Sequence, residues 1–188
     1  MCTEAERLQL VDFHGRPTGA APRPACHQNP GLVHHVVHVV VRNHARNMLL
    51  QFRHPDKDLY PNRWDTAVGG HVQAGESLRD ALHRELAEEL GVAVPNQGLE
   101  HAYAYLHGSD RETEYVDTCS LVLDGPFRPD PTEVKALRFW SLGAIRAHLG
   151  TGVFTPNFED EFSRFMAWLQ AREGPGRAHG QGEEHGPR

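Results

Sequence analysis

Cysteine is scarce in this chain. Its 188 residues include three, Cys2, Cys26 and Cys119. They are odd in number and far apart, which fits neither a disulfide framework nor a paired-cysteine zinc site. A reducing, cytoplasmic setting is therefore expected. Long apolar runs are also missing. No stretch approaches the roughly 18–20 apolar residues that span a bilayer, so no membrane partner is expected. The opening residues, MCTEAERLQL, lack the basic region and apolar core of a secretory leader. Positive charge is not in excess either. The 19 lysines and arginines are outnumbered by 25 acidic residues, for a net charge of −6, which argues against a broad surface for a nucleic-acid polymer. Internal repeats are absent, and nothing in the composition requires more than a monomer or homodimer.

What is present is an ordinary globular composition, 39% apolar and 23% charged, in a chain long enough for one domain with a substantial core. Residues 7–12 alternate as a first strand. Residues 13–30 are dense in glycine and proline and read as a long loop. The β-branched run LVHHVVHVVV at 32–41 predicts a strand buried on both faces. A hairpin turn at 43–47 leads to a partner strand at 48–53. Residues 55–61 read as loop, and a short strand at 64–68 feeds a Gly69-Gly70 turn. Strands are expected again at 99–107, 114–123 and 136–140, with a proline-rich break at 125–131. Ser141 caps a short helix to about Leu149. Thr155-Pro156-Asn157 opens a last helix whose Phe158, Phe162, Phe165, Met166 and Leu169 recur at helical spacing as core. From Glu173 onward the chain is glycine-rich and polar. The expected organisation is one domain over 1–172 and a disordered tail over 173–188. The fold class implied is α+β, a mixed sheet with helices on both faces.

The informative stretch is 70–92, GHVQAGESLRDALHRELAEELGV. Ser77 is a helix N-cap with Asp80 three residues on. Leu78, Ala81, Leu82, Leu86 and Leu90 form one apolar stripe, and Gly91 closes the helix in a left-handed conformation. Glu85, Glu88 and Glu89 lie at i, i+3 and i+4 and crowd one face, at a cost of tenths of a kcal/mol per like-charged pair. A solvated acidic face is the ordinary explanation for such a helix. A divalent cation among the carboxylates is the other, and hard oxygen ligands suit Mg2+ or Mn2+. The Gly70 carbonyl is a further candidate ligand.

Gly70, five residues, Glu76, seven residues, then Arg84-Glu85-Leu86-Ala87-Glu88-Glu89-Leu90-Gly91-Val92 resembles the Nudix box, Gx5Ex7REUxEExGU with U aliphatic, at every specified position. The resemblance implies a Nudix fold, a mixed sheet sandwiched between helices, and a metal-dependent enzyme that cleaves a diphosphate linkage in a small-molecule substrate. Outside the box, MLLQFRHPDKDLYPNRWDTAVGGHVQAG at 48–75 is similar to the isopentenyl-diphosphate isomerase-like branch. That likeness implies a second ligand set. His27 and His34 match two metal-binding histidines seven residues apart, His71 matches the third, and Glu112 and Glu114 match a Glu-x-Glu pair. Asn43, nine residues after His34, also fits. Arg53 and Lys57 match positions that contact diphosphate.

Two departures separate the chain from the isomerases. Gly69 stands where they carry a proton-transferring cysteine, and the glutamates of the box are intact here. Hydrolysis is therefore expected, with Glu112 first as the base that activates water and Glu85 or Glu114 next. Arg84 is expected to pair with a box glutamate and Glu76 to support the loop–helix junction. Isomerisation of a prenyl diphosphate and a non-catalytic ligand sensor stay open beside it. His34 and His38 share a strand face, and hydrogen-bonded strand histidine is the plain alternative for both.

Overall fold

The computed structural model describes residues 6–57 and 59–174. Cys2 and the expected tail beyond Gly174 lie outside the described residues. The centre of the fold is β3 (Val33–Arg42), buried along its whole length. It pairs in parallel with β8 (Thr113–Val122), from Val33↔Thr113 to Arg42↔Val122, and antiparallel with the short β6 (Val68–His71). β7 (Glu100–Gly108) extends this half beyond β8, and β1 (Arg7–Val11) with β2 (Pro17–Pro22) extends it on the other side.

The other half of the sheet consists of β4 (Met48–Arg53), β5 (Trp64–Thr66) and β9 (Val134–Trp140), with β4 in the middle. β3 and β4 meet at Arg42↔Met48, the hairpin end. The halves therefore splay apart toward the other end of β3, and a cleft opens between β6 and β4–β5. A continuous apolar run such as β3 needs cover on both faces. Helix α2 (Leu78–Leu90) covers one, packing Ala81, Leu82, Leu86 and Leu90 on Val37, Val39, Val41, Val68 and Val72. Helices α3 (Leu142–His148) and α4 (Pro156–Glu173) cover the other, where Phe154, Phe158, Phe162 and Phe165 meet Val40, Met48 and Leu50. Among the described residues no helix is long and apolar enough to cross a membrane.

The caps follow the sequence expectations. Ser77, Ser141 and Thr155 each accept a backbone N–H from the third residue on, and Gly91 is left-handed at φ 64°. Asn43 is a hairpin residue whose side chain accepts from the Asn47 N–H, and it lies away from the cleft. Strand ends fall within one or two residues of expectation. Three expectations need correction. The glycine- and proline-rich stretch 13–30 contains β2 and a short helix, α1 (Arg23–Cys26). Pro17 and Pro22 bound an edge strand, where a missing N–H costs no ladder bond. Gly69 and Gly70 do not make a turn. They sit inside β6, and neither has positive φ. Finally, α4 runs through Glu173, one residue into the expected tail.

One buried carboxylate ties the halves together. Glu161 of α4, 1% exposed, accepts from the Thr66 hydroxyl of β5, from the Thr118 hydroxyl of β8 at 2.8 Å, and from His38 Nδ1 of β3 at 3.0 Å. Burial opposes charge on both partners, but each holds the other ionised. His38 is pushed up to about 9 and Glu161 below its ordinary value. The His38 contribution to stability is complete below its unfolded value near 6.5 and fades as pH rises through 9. The Glu161 contribution is present above 4.5 and is lost as pH falls through its depressed folded value. Glu161→Gln strands the imidazolium and is expected to cost about 3–5 kcal/mol. In urea unfolding the deficit should be largest between pH 4.5 and 6.5 and shrink toward pH 9; a deficit independent of pH would contradict the ion pair.

Candidate active site

The cleft has a volume of about 640 Å3, within the range of small-molecule sites. Two clusters reach it from opposite faces of β6, because successive residues of a strand point to opposite sides. On the α2 side the missing side chain of Gly70 admits Glu85. A Cβ there would lie 1.9 Å from the Glu85 carboxyl carbon. Glu85 and Glu89 are buried, while Glu88 is about half exposed. Glu89 accepts from the Gly69 N–H at 2.8 Å and from the Gln51 side chain at 3.1 Å. Arg84 grips both Glu76 oxygens at 2.8 and 2.9 Å, the His71 carbonyl at 2.9 Å, Glu85 at 2.5 Å and Glu88 at 3.3 Å. Helix and strand are thus riveted by one guanidinium. Burial, then the nearby Glu85 charge, pushes the Glu89 carboxyl up to about 8. Burial raises Glu85 as well, and Glu88 adds to it.

The Gly69 N–H and the His71 carbonyl both point from β6 toward α2 and the open edge. Backbone alternation therefore turns the Gly70 carbonyl inward to β3, its ladder partner. The carbonyl that shares the open edge with Glu89 is that of Gly69. Sequence spacing pointed to Gly70, and the signal that distinguishes the two is the strand itself, which was read as a turn.

On the other face His27, His34 and His71 converge. Their ring centroids lie 5.1–5.6 Å apart, and His27 Nε2 is 3.2 Å from His71 Nε2. Glu112 and Glu114 join from the start of β8, with Glu112 3.6 Å from His27 and Glu114 4.0 Å from His34. Two groups are spaced to hold an ion, His27–His34–His71 and His34–Glu112–Glu114. Buried polar atoms normally have partners. Here His34 Nε2 and Glu112 Oε2 are buried without a hydrogen bond, and both belong to these groups. Burial lowers His34 to about 4 and lowers His71, so both imidazoles are neutral and keep a lone pair. Burial, then Glu112, raises Glu114 to about 7. Neutral imidazole beside carboxylate is a donor set that fits a divalent transition ion, and the orphaned atoms support that fit.

Arg53 and Lys57 do line the cleft, but neither is free to clamp an anion as the chain stands. Arg53 binds Asp65 at 2.9 Å and the Leu59 carbonyl at 3.0 Å, and Lys57 binds Glu133 at 2.9 Å. Sequence reading missed three supporting residues. Gln51 holds Glu89, Asp65 holds Arg53, and Asn157 donates to Glu114 at 3.3 Å while accepting from the Tyr105 hydroxyl at 2.9 Å. Gln51 stands within the 48–75 stretch quoted above; Asn157 had no signal beyond its place at a helix start.

Comparison with known proteins bears on this geometry. Residues 32–169 match the NUDIX domain. The chain is 34% identical over 157 residues to an isopentenyl-diphosphate Delta-isomerase of Nocardia farcinica, covering 79% of this chain and 88% of that one. It is 33% identical over 137 residues to an uncharacterized Nudix hydrolase of Pseudomonas aeruginosa, covering 73% and 79%. A crystal structure of a Deinococcus radiodurans protein superposes with a TM-score of 0.73 at 23% identity, over 85% of this chain and 98% of that one, and so shares the fold. The two faces of β6 should bind ions independently. In Mn2+ titrations followed by electron paramagnetic resonance, His34→Ala should weaken one class of sites at least tenfold and spare the other, with Glu85→Gln doing the reverse. Loss of both classes in either variant would mean a single joint site.

Proposed function

Because the chain belongs to the NUDIX domain family, we infer that it is a metal-dependent hydrolase that cleaves the diphosphate linkage of a small organic diphosphate. The observation that carries this reading is the intact set of box glutamates, two of them buried against β6 at a cleft of substrate size. Among the described residues lining the cleft, carboxylates outnumber lysines and arginines nine to four. A diphosphate is repelled from such a wall unless divalent cations enter with it. Glu85, Glu88, Glu89 and the Gly69 carbonyl would hold Mg2+ or Mn2+ on one face of β6. His27, His34, His71, Glu112 and Glu114 would hold an ion on the other. When bound, such ions neutralise charge on the phosphoryl oxygens and acidify water.

The chain's own groups supply the rest. Arg84 fixes the positions of Glu85 and Glu88 at once. Gln51 orients Glu89. Water attacks phosphorus, its proton passes to a carboxylate, and the bridging P–O bond breaks to give two phosphate products. Glu114 is the preferred base, with Glu112 next. Asn157 orients it, which moves Glu114 ahead of Glu112, the base expected from the sequence. Arg53 and Lys57 reach the substrate by exchanging Asp65 and Glu133 for phosphate.

Isomerisation of a prenyl diphosphate is the second reading, favoured by the His/Glu cluster and by the relative that bears that name. One incubation separates the two. With Mg2+ or Mn2+ and a panel of nucleoside diphosphates and triphosphates, dinucleotides, nucleotide sugars and prenyl diphosphates, release of phosphate or a monophosphate marks the hydrolase. An allylic product without phosphate marks the isomerase. Glu88→Gln with Glu89→Gln should lower kcat at least a thousandfold while leaving the circular dichroism unchanged; undiminished turnover in that folded variant would remove the box from the mechanism.

A further inference from the structure

His38 belongs to neither cluster, yet it lines the same cleft. It lies on β3 directly opposite Gly69 of β6. Its Nδ1 is committed to Glu161 at 3.0 Å. An ionised carboxylate only accepts, so Nδ1 carries the proton of that bond and Nε2 is turned away from it. Nε2 has no hydrogen-bond partner among the described residues. It faces the space above Gly69, where a Cβ would come within 3.2 Å of Nε2 and Cδ2. The ring is therefore held from behind and bare in front, and bare only because residue 69 has no side chain. With Nδ1 committed to Glu161, Nε2 is the ring atom left to hydrogen-bond a group in the cleft.

The surroundings are of the same character. Thr66, His107, Thr155 and Asn157 line the cleft, and the only aliphatic residues among its described lining are Val36 and Leu59. Thr66, Thr155 and Asn157 already have partners within the protein, so an apolar chain laid here would strip water from Nε2 of His38 and return nothing. A hydroxyl, which can both donate and accept, would restore the missing hydrogen bond at Nε2.

We propose that His38 is a specificity-determining residue: through Nε2, in the gap left by Gly69, it hydrogen-bonds a hydroxyl of the substrate's organic group and so selects hydroxylated diphosphates over prenyl ones. The proposal rests on the reading of the cleft as a diphosphate hydrolase site. A site built to bond a hydroxyl rejects the analogue that lacks it, because its own polar group is left unpaired.

The test compares kcat/KM for UDP-glucose, ADP-ribose and geranyl diphosphate in the unaltered protein with Mg2+. His38→Leu and Gly69→Val are measured beside it, with folding checked by circular dichroism. Gly69→Val covers Nε2 while keeping both the imidazole and its Glu161 partner in the chain, so it decides the matter if His38→Leu does not fold. The unaltered protein should favour the better of the two hydroxylated substrates over geranyl diphosphate. Each folded variant should narrow that ratio about five- to hundredfold, the cost of leaving one buried polar group unpaired. Preference for geranyl diphosphate, or an unchanged ratio in either folded variant, overturns the proposal alone. Cleavage of none of the three overturns the hydrolase reading and takes this proposal with it.

Discussion

Strand β6 carries two consecutive residues without side chains, and the cleft depends on that emptiness. At Gly70 a carboxylate from α2 comes so close that even a methyl group would overlap it. At Gly69 an imidazole from β3 borders the corresponding space on the opposite face. Glycine costs a strand some stability, roughly 0.5–1 kcal/mol relative to alanine. Here the cost is offset by what the glycines admit: two sets of ionisable groups pressed against one backbone from both sides. The strand backbone serves the site as well, since the Gly69 N–H holds Glu89 and the His71 carbonyl holds Arg84.

The electrostatics follow from that crowding. Buried carboxylates are normally neutralised by a partner within reach. Arg84 serves Glu76, Glu85 and Glu88, but Glu89, Glu112 and Glu114 are served only by amides or not at all. Their raised proton affinities record the shortfall. The Glu161–His38 pair shows the opposite solution in the same protein. Its carboxylate is equally deep but receives two hydroxyls and an imidazolium, and it stays ionised. The two environments separate a buried acid that the protein itself satisfies from cleft acids that it leaves short of positive charge.

The parts legible in the sequence were those carried by spacing. Helix α2, its caps and its stripe follow from local periodicity, and β3 from an unbroken β-branched run. The His27, His34, His71, Glu112 and Glu114 set came through resemblance, and the fold brings these residues together from a short helix end and three strands. What spacing could not convey was direction. The Gly69-Gly70 pair reads as a turn by composition because glycine's commonest local use is conformational. Its use here is steric and depends on residues 31 positions before and 15 after it. Glu161 is invisible for the same reason: on an amphipathic helix an acidic residue beside Phe158, Phe162 and Phe165 looks like surface, and only the tertiary arrangement supplies Thr66, Thr118 and His38. Arg53 and Lys57 were legible as cleft residues but not as residues already paired.

The departure at residue 69 and the histidine at residue 38 are best understood together. A side chain at 69 and an imidazole at 38 compete for one volume, since they project from facing positions of neighbouring strands. Any residue larger than glycine at 69 would crowd the ring and shield Nε2. Enlarging 69 without removing His38 would press on the Glu161 network, which joins both halves of the sheet. Removing His38 alone would leave that carboxylate buried with only hydroxyl partners. The pair Gly69/His38 is thus a coupled choice, and it leaves a polar ring nitrogen facing the cleft. On the reading proposed above, the chemistry of the cleft follows from the glutamates of α2 on one side of β6. By the same reading, what the cleft accepts follows on the other side from a histidine whose back is fixed by Glu161 of α4.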